Sequence, residues 1–315
     1  MHVRILPRSE STLGGILSFV NLDLSDVLKY SDEVAAAIAS NSPIVALEST
    51  IFSHGLPRPL NLELAREVQS IIRAHGATPA MIAVINGDVH IGLSEAELEE
   101  ITTRDDILRT SSRELAIAIA FGKSAATTLE SASHLAATAG IKVFSAGVLE
   151  GVQRIGEDFA DESAELTALS GLDITVVCAG VKSVLDVGPT INLLGSLNIN
   201  LIGYQTKTFP ALYITDTEFE VTHQADTVEH FASKIKSNTS ALIVVNPATN
   251  PMEKKLHDEI LASGIESAAK EEITGKAVTP FLYEYFQSSS NGEALRIYVE
   301  ILKSNAALAA EIAKI

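Results

Sequence analysis

Two periodicities alternate along this chain. Residues 61–75 repeat apolar side chains at helical spacing, with Leu64, Val68, Ile71 and Ile72 on one stripe and Gly76 as the stop. Short uninterrupted apolar runs flank that stretch at 44–47 and 81–85, the second ending in the turn residues Asn86, Gly87 and Asp88. The alternation continues. Helices are expected over 32–39, 128–139, 162–169, 251–270 and 294–312, and strands over 142–145, 174–178, 201–204 and 242–246. Strands alternating with helices of this length predict an α/β fold, layered α/β/α, with a mainly parallel or mixed central sheet. No repeat, low-complexity tract or Pro/Gly-rich linker divides residues 32–315, which read as one domain. Residues 1–31 carry little periodicity and read as an N-terminal extension or an edge segment.

The apolar pattern also places the chemistry, because ligands of such folds gather outside the carboxyl ends of the strands. Polar residues that follow predicted strands are Glu48, Ser145, Lys182, Gln205 and Asn246. Lys182 comes just after the run 174–178 and the small pair Ala179, Gly180. An amine desolvated there has a lowered pKa and a nucleophilic neutral form. Lysines also snorkel from sheet rims with ordinary charge, so a structural role stays open. Glu48 directly follows the run 44–47, and burial would raise its pKa toward a value suited to proton transfer. Its plain alternative is pairing with a backbone donor or with Arg58. His54, beside Gly55, either touches a ligand or caps a turn.

Composition narrows the partners. Forty acidic residues against 23 Lys and Arg give a net charge of -17, a field that opposes DNA or RNA while leaving room for a small phosphorylated ligand. Such a ligand needs only a few local donors, and Arg109, Arg113 and Arg154 are the candidates. Cys178 is the only cysteine, which rules out an intramolecular disulfide and fits a reducing compartment, the cytoplasm first. No apolar stretch reaches the length of a membrane span. Early acidic residues argue against a secretory signal and leave organellar targeting open.

Glycines 147, 151 and 156 follow a predicted strand, but their spacing matches neither a dinucleotide fingerprint nor a P-loop. Carboxylates at 157, 158, 161, 162 and 165 are dense enough for a hard divalent ion, or form an acidic helix start facing solvent. No zinc-type His/Cys cluster and no serine-hydrolase elbow is present.

Several segments resemble the pseudouridine-5′-phosphate glycosidases, the indigoidine-synthase-A-like family. They are VALESTIFSHGLP at 45–57, AATT at 125–128, AGIKVF at 139–144, SAEL at 163–166 and VCAGVKSVLD at 177–186. FPALY at 209–213, GKAVTPF at 275–281 and Asn305 with Ala306 complete the set. The resemblance implies a C-glycosidase that reversibly cleaves pseudouridine 5′-phosphate to uracil and ribose 5-phosphate. It implies Lys182 as the Schiff-base nucleophile, Glu48 as the proton donor and Asp161 as holder of a manganese ion through its water shell. It places Arg109, Thr128, Leu129, Gln153, Ser163, Ala164, Glu165 and Asn305 at substrate contacts, and it implies a homotrimer.

The recognition shell departs from the family pattern. Arg109 stands where lysine is usual, Glu165 is one methylene longer than the usual Asp, and residues 150–154 (EGVQR) replace the usual Gly-Gly-Val-His-Arg. Gln153 cannot titrate, and Glu150 is expected to repel a nearby phosphate. Two alternatives therefore stand beside the main expectation. One is a Schiff-base lyase or glycosidase acting on a different sugar phosphate; the other is a catalytically weak, ligand-binding homologue.

Overall fold

The computed structural model describes residues 27–153, 164–230 and 240–315. Eleven described strands form one sheet. They are β1 (Leu28–Tyr30), β2 (Ile44–Leu47), β3 (Thr78–Ile85), β4 (Asp88–Ile91), β5 (Leu108–Thr110), β6 (Ala125–Thr127), β7 (Val143–Ser145), β8 (Thr175–Cys178), β9 (Asn200–Tyr204), β10 (Gln224–Ala225) and β11 (Leu242–Val245). Their order is β1-β4-β3-β2-β7-β8-β11-β9-β10, with β6 also pairing β3, and β5 pairing β6.

The central block is parallel from the start of β3 through β2, β7, β8, β11 and β9. β2, β7, β8 and β11 are almost entirely buried. A parallel sheet needs cover on both faces, which explains why these strands read as continuous apolar runs. Mixing enters at β3, which is eight residues long. Its first half runs parallel to β2, and its second half pairs antiparallel with β4 and β6. The β3–β4 hairpin turns on Asn86 and Gly87, both with positive φ, as a two-residue hairpin of this hand requires.

The helices follow the periodic stretches. α1 (Asp32–Ala39) is capped by Ser31, whose side chain accepts the Val34 N–H. α2 (Thr50–His54) and α3 (Leu60–Ala74) follow β2; α4 (Glu95–Thr103) opens with a capping box of Ser94 and Glu97. α5 (Ser112–Ala120), α6 (Leu129–Thr138), α7 (Ala164–Leu169) and α8 (Val187–Ser196) come next, then α9 (Lys254–Lys270), α10 (Val278–Ser289) and α11 (Glu293–Ala313). α11 lies across β2, β7 and β8 with α3 beside it. Ala306, Ala309 and Ala310 are fully buried on α11, and their small size lets the helix seat closely.

Leu28–Tyr30, the described end of the segment read as an extension or an edge, pairs with β4 as an edge strand. The helix expected from 251 begins at Lys254, because the Met252 N–H is drawn to the Tyr213 carbonyl at 2.7 Å instead of a helical turn. No described helix is long and apolar enough to cross a membrane.

Candidate active site

The carboxyl ends of β2 and β8, with β7 between them, carry the two residues singled out from the sequence. Glu48 leaves β2 and is 7% exposed. Ser49 fixes that exit. Its hydroxyl donates to the Ile82 carbonyl at 2.7 Å and accepts the Thr127 N–H at 2.9 Å, joining the end of β2 to β3 and β6. Thr128 and Arg109, on the neighbouring strand ends, are thereby brought to the same rim; the Thr128 N–H also donates to Thr110.

Lys182 is placed by a ladder continuing past the strands. Ala146 N–H donates to Val177, Ala179 N–H to Gly147, Leu149 N–H to Gly180 and Lys182 N–H to Leu149. The loops after β7 and β8 thus run side by side, and Glu150 faces Lys182. Gly180 has φ 76°, and a Cβ there would lie 1.8 Å from the Pro210 carbonyl oxygen. Gly147 is packed against the Tyr298 ring, where a Cβ would meet Oη at 2.7 Å. Only glycine fits either place.

The electrostatics divide the carboxylates by burial. Glu48 is pushed up from 4.5 to about 7, chiefly by burial and further by Glu150. The Thr50 hydroxyl, donating to its Oε2 at 2.7 Å, and the charges of Arg109 and Lys182 pull the other way. Glu165 is raised well above the usual carboxylate range by burial and by the charge of Glu150, although it accepts the Glu150 N–H at 2.8 Å.

Lys182 corrects an expectation. Burial alone would lower its pKa, but the contacting carboxylate of Glu150, then Glu165 and Tyr283, raise it above 10.5. The amine is held as an ammonium ion, not released as a neutral nucleophile. Its Nζ also lies 6.0 Å from the centre of the Tyr283 ring, a cation–π distance.

Arg109 is exposed, forms no ion pair among the described residues, and its charge reaches Glu48 and His54. Arg58 pairs with Asp105 and Arg113 with Glu114, so neither serves Glu48. Thr128 caps α6, accepting the Ser131 N–H, while the Leu129 side chain is buried in the core; only its backbone can meet a ligand. His54 is exposed and has no carboxylate partner among the described residues; desolvation first, then Arg109 and Arg58, lower its pKa against the effect of a backbone hydrogen bond at Leu108.

Asn305 is fully buried on α11. Its Nδ2 donates to the Ala146 and Gly147 carbonyls at 2.8 and 3.3 Å, and its Oδ1 accepts from Asn246 at 2.9 Å. The Nδ2 end therefore holds the loop after β7, and the Oδ1 end ties it to the residue after β11. Gln153 is half-buried beside the bridge of Val152 to Asp186, and Ala164 is exposed at the start of α7. Arg154, Asp161 and Ser163 lie outside the described residues. Among the described residues no group of three His, Cys, Asp or Glu is arranged to hold a metal ion. The described carboxylates nearest Lys182 are engaged with the lysine, Thr50 and a backbone amide, and do not by themselves supply a ligand set.

Sequence reasoning missed the partners of the lysine. Glu150 was read as a repulsive departure, whereas it is the carboxylate in contact with the amine. The wall of Tyr213, Tyr283 and Tyr298 was also missed; Tyr283 meets Tyr298 edge-on with centroids 6.4 Å apart. One signal for it was available, the aromatic segment FLYEYF at 281–286 in a chain with only 5% aromatics.

The family model described as indigoidine synthase A like protein matches residues 33–315. A pseudouridine-5′-phosphate glycosidase of Salinispora tropica is 44% identical over 294 residues, 91% of each chain. One of Geobacillus kaustophilus is 40% identical over 300 residues, covering 92% of this chain and 99% of its own. Among solved structures, the prealnumycin C-glycosynthase AlnA in complex with ribulose 5-phosphate matches with a TM-score of 0.85 at 28% identity, covering 91% of this chain and 96% of its own. An indigoidine synthase A-like protein of Thermotoga maritima matches with a TM-score of 0.78 at 31% identity, covering 96% of this chain and 99% of its own.

Proposed function

This chain belongs to the indigoidine synthase A like family, and from that we propose that it is a pseudouridine-5′-phosphate glycosidase working through a Schiff base on Lys182. The reaction consumes pseudouridine 5′-phosphate and water and gives uracil and ribose 5-phosphate. The observation that carries this reading is the placement of Lys182 and the buried Glu48, which burial pushes up to about 7, on one strand-end rim.

Uracil C5 is a poor carbanion leaving group, so direct displacement of the base is difficult. With Lys182 neutral, Nζ bonds to C1′ as the C1′–O4′ bond breaks, and Glu48 gives its proton to O4′. The proton released by the new secondary amine returns to Glu48. The nitrogen lone pair then forms C1′=N while the C1′–C5 pair stays with the base, and Glu48 protonates C5. Water hydrolyses the iminium, freeing ribose 5-phosphate, and the lysine ammonium so formed passes its extra proton back to the Glu48 carboxylate, which restores the starting state. A group titrating near 7 can give and regain the proton at neutral pH, which a carboxyl at 4.5 does poorly. Arg109, with no ion pair of its own among the described residues, and the backbone N–H groups at the start of α6 suit the phosphate.

Two further parts belong to the proposal: a manganese ion held near Asp161, and assembly as a homotrimer. Metal analysis of the protein and of its Asp161→Ala variant tests the first, and light scattering the second. A second reading, the same imine chemistry on another sugar phosphate, is favoured by the AlnA match and by Glu150, Gln153 and Arg109.

Chromatography of pseudouridine 5′-phosphate after incubation with the protein and manganese decides between them. Uracil and ribose 5-phosphate are expected. Borohydride is expected to fix a sugar phosphate on Lys182 and none on Lys182→Ala. Turnover that leaves Lys182 unmodified, or survives in Lys182→Ala, rejects the covalent role; absence of both products rejects this substrate.

A further inference from the structure

The contact between Lys182 and Glu150 is at odds with a lysine that must attack as a free amine. The other carboxylates near Lys182 are accounted for. Glu48 is tied to Thr50, Glu165 is buried and accepts a backbone N–H, and both are biased toward the protonated form by burial. Glu150 differs from them. Its side chain is 30% exposed, and among the described residues it has no side-chain partner other than Lys182. It stands on the loop after β7, Glu165 on α7, Glu48 after β2, Arg109 on β5 and Tyr283 on α10; among the described residues these charged and titratable groups act on the amine or on Glu48.

Geometry then fixes where the Glu150 carboxylate goes when Lys182 reacts. Once Nζ is bonded to the anomeric carbon of a sugar, the hydroxyl on the adjacent carbon comes within hydrogen-bond reach of groups that touched Nζ. The iminium or secondary amine keeps one N–H where the ammonium offered three, so Glu150 loses donors as Lys182 reacts. A carboxylate short of donors there is costly, and a hydroxyl presented at that place is a fitting replacement.

We propose that Glu150 is a specificity-determining latch: it holds Lys182 as an ion-paired ammonium and releases it preferentially to a sugar phosphate whose hydroxyl next to the reacting carbon takes over its carboxylate. This rests on the Schiff-base reading of Lys182. Selectivity follows from the exchange. A sugar phosphate without that hydroxyl loosens the contact of Glu150 with Nζ and puts no donor in its place, so its imine forms less readily.

The test compares ribose 5-phosphate with 2-deoxyribose 5-phosphate, using borohydride to trap the imine on Lys182. In each case the amine adds to the aldehyde, water leaves, and hydride reduces the C=N bond to a stable secondary amine. Initial trapping rates are measured from about pH 6 to 9 for the unaltered chain, Glu150→Gln and Glu150→Ala. Both variants are expected to reach half-maximal trapping at lower pH, since the charge that keeps the amine protonated is gone. The preference for ribose 5-phosphate over the deoxy sugar is expected to fall about tenfold in Glu150→Ala, and less in Glu150→Gln, which keeps an acceptor.

General loosening of the site would slow both sugars alike, so it does not move this ratio. An unchanged pH midpoint in both variants overturns the latch, and an unchanged sugar preference in Glu150→Ala overturns the specificity role. If the unaltered chain traps neither sugar while still releasing uracil, the Schiff-base reading itself falls, and the latch with it. Glu150→Gln preserves shape on a partly exposed side chain, and its thermal melt checks that the comparison is between folded proteins.

Discussion

Replacing Glu48 by Gln separates what this residue does for catalysis from what it costs the fold. Burial moves its pKa from 4.5 to about 7. At about 1.4 kcal/mol per pH unit, that displacement corresponds to about 3 kcal/mol. The sign follows from linkage. Below the unfolded value of 4.5, both states hold the proton and no penalty arises; as pH rises toward 7, the unfolded chain ionises first and native stability is lost. Above about 7 the loss is complete and constant. Glu48→Gln cannot ionise, and its amide oxygen can still accept the Thr50 hydroxyl that now reaches Oε2 at 2.7 Å.

Denaturant unfolding of both proteins at about pH 4 and about pH 8 therefore gives a specific pattern. Relative to the unaltered chain, the variant should gain about 3 kcal/mol between the two conditions, while losing turnover by about a hundredfold or more. Titrating groups remote from Glu48 are common to both proteins and drop out of the difference. In the unaltered chain, kcat/KM should rise with pH below about 7, as neutral Lys182 becomes more available, and level off above about 7, where Glu48 loses its proton. A stability difference that does not change with pH would refute the burial argument. Normal turnover in the variant would refute the proton-donor role.

Gly180→Ala should destabilise the chain by roughly 3 kcal/mol or more, because the new Cβ falls on backbone and φ is unfavourable; a melt within a degree or two of the parent would contradict it. Cys178 is fully buried and its thiol is pushed up to about 12 by burial, so the native chain should resist thiol reagents at neutral pH and react once unfolded. Rapid native labelling would show that the end of β8 opens.

How much of this was legible without the structure varies from residue to residue. Ser31 before the α1 repeat, the Asn86 and Gly87 turn, and the apolar runs of β2 and β8 are local signals, and the elements lie where those signals put them. Placing Glu48 and Lys182 on one rim followed from the rule that parallel strands present their carboxyl ends together. Asn305 was visible as part of a motif, but its saturated contacts with Ala146, Gly147 and Asn246 depend on α11 lying across β7.

By itself the sequence determined the alternation of strands and helices, the rim residues and the chemical types available there, because backbone pattern and side-chain chemistry are local properties. Only the tertiary structure decided their charge states. Glu48 is shifted to about 7 by the packing around it, and Lys182 is kept an ammonium by a carboxylate 32 positions away in the chain. Desolvation and Coulomb interaction depend on distance in space, and the ladder joining the loops after β7 and β8 sets that distance.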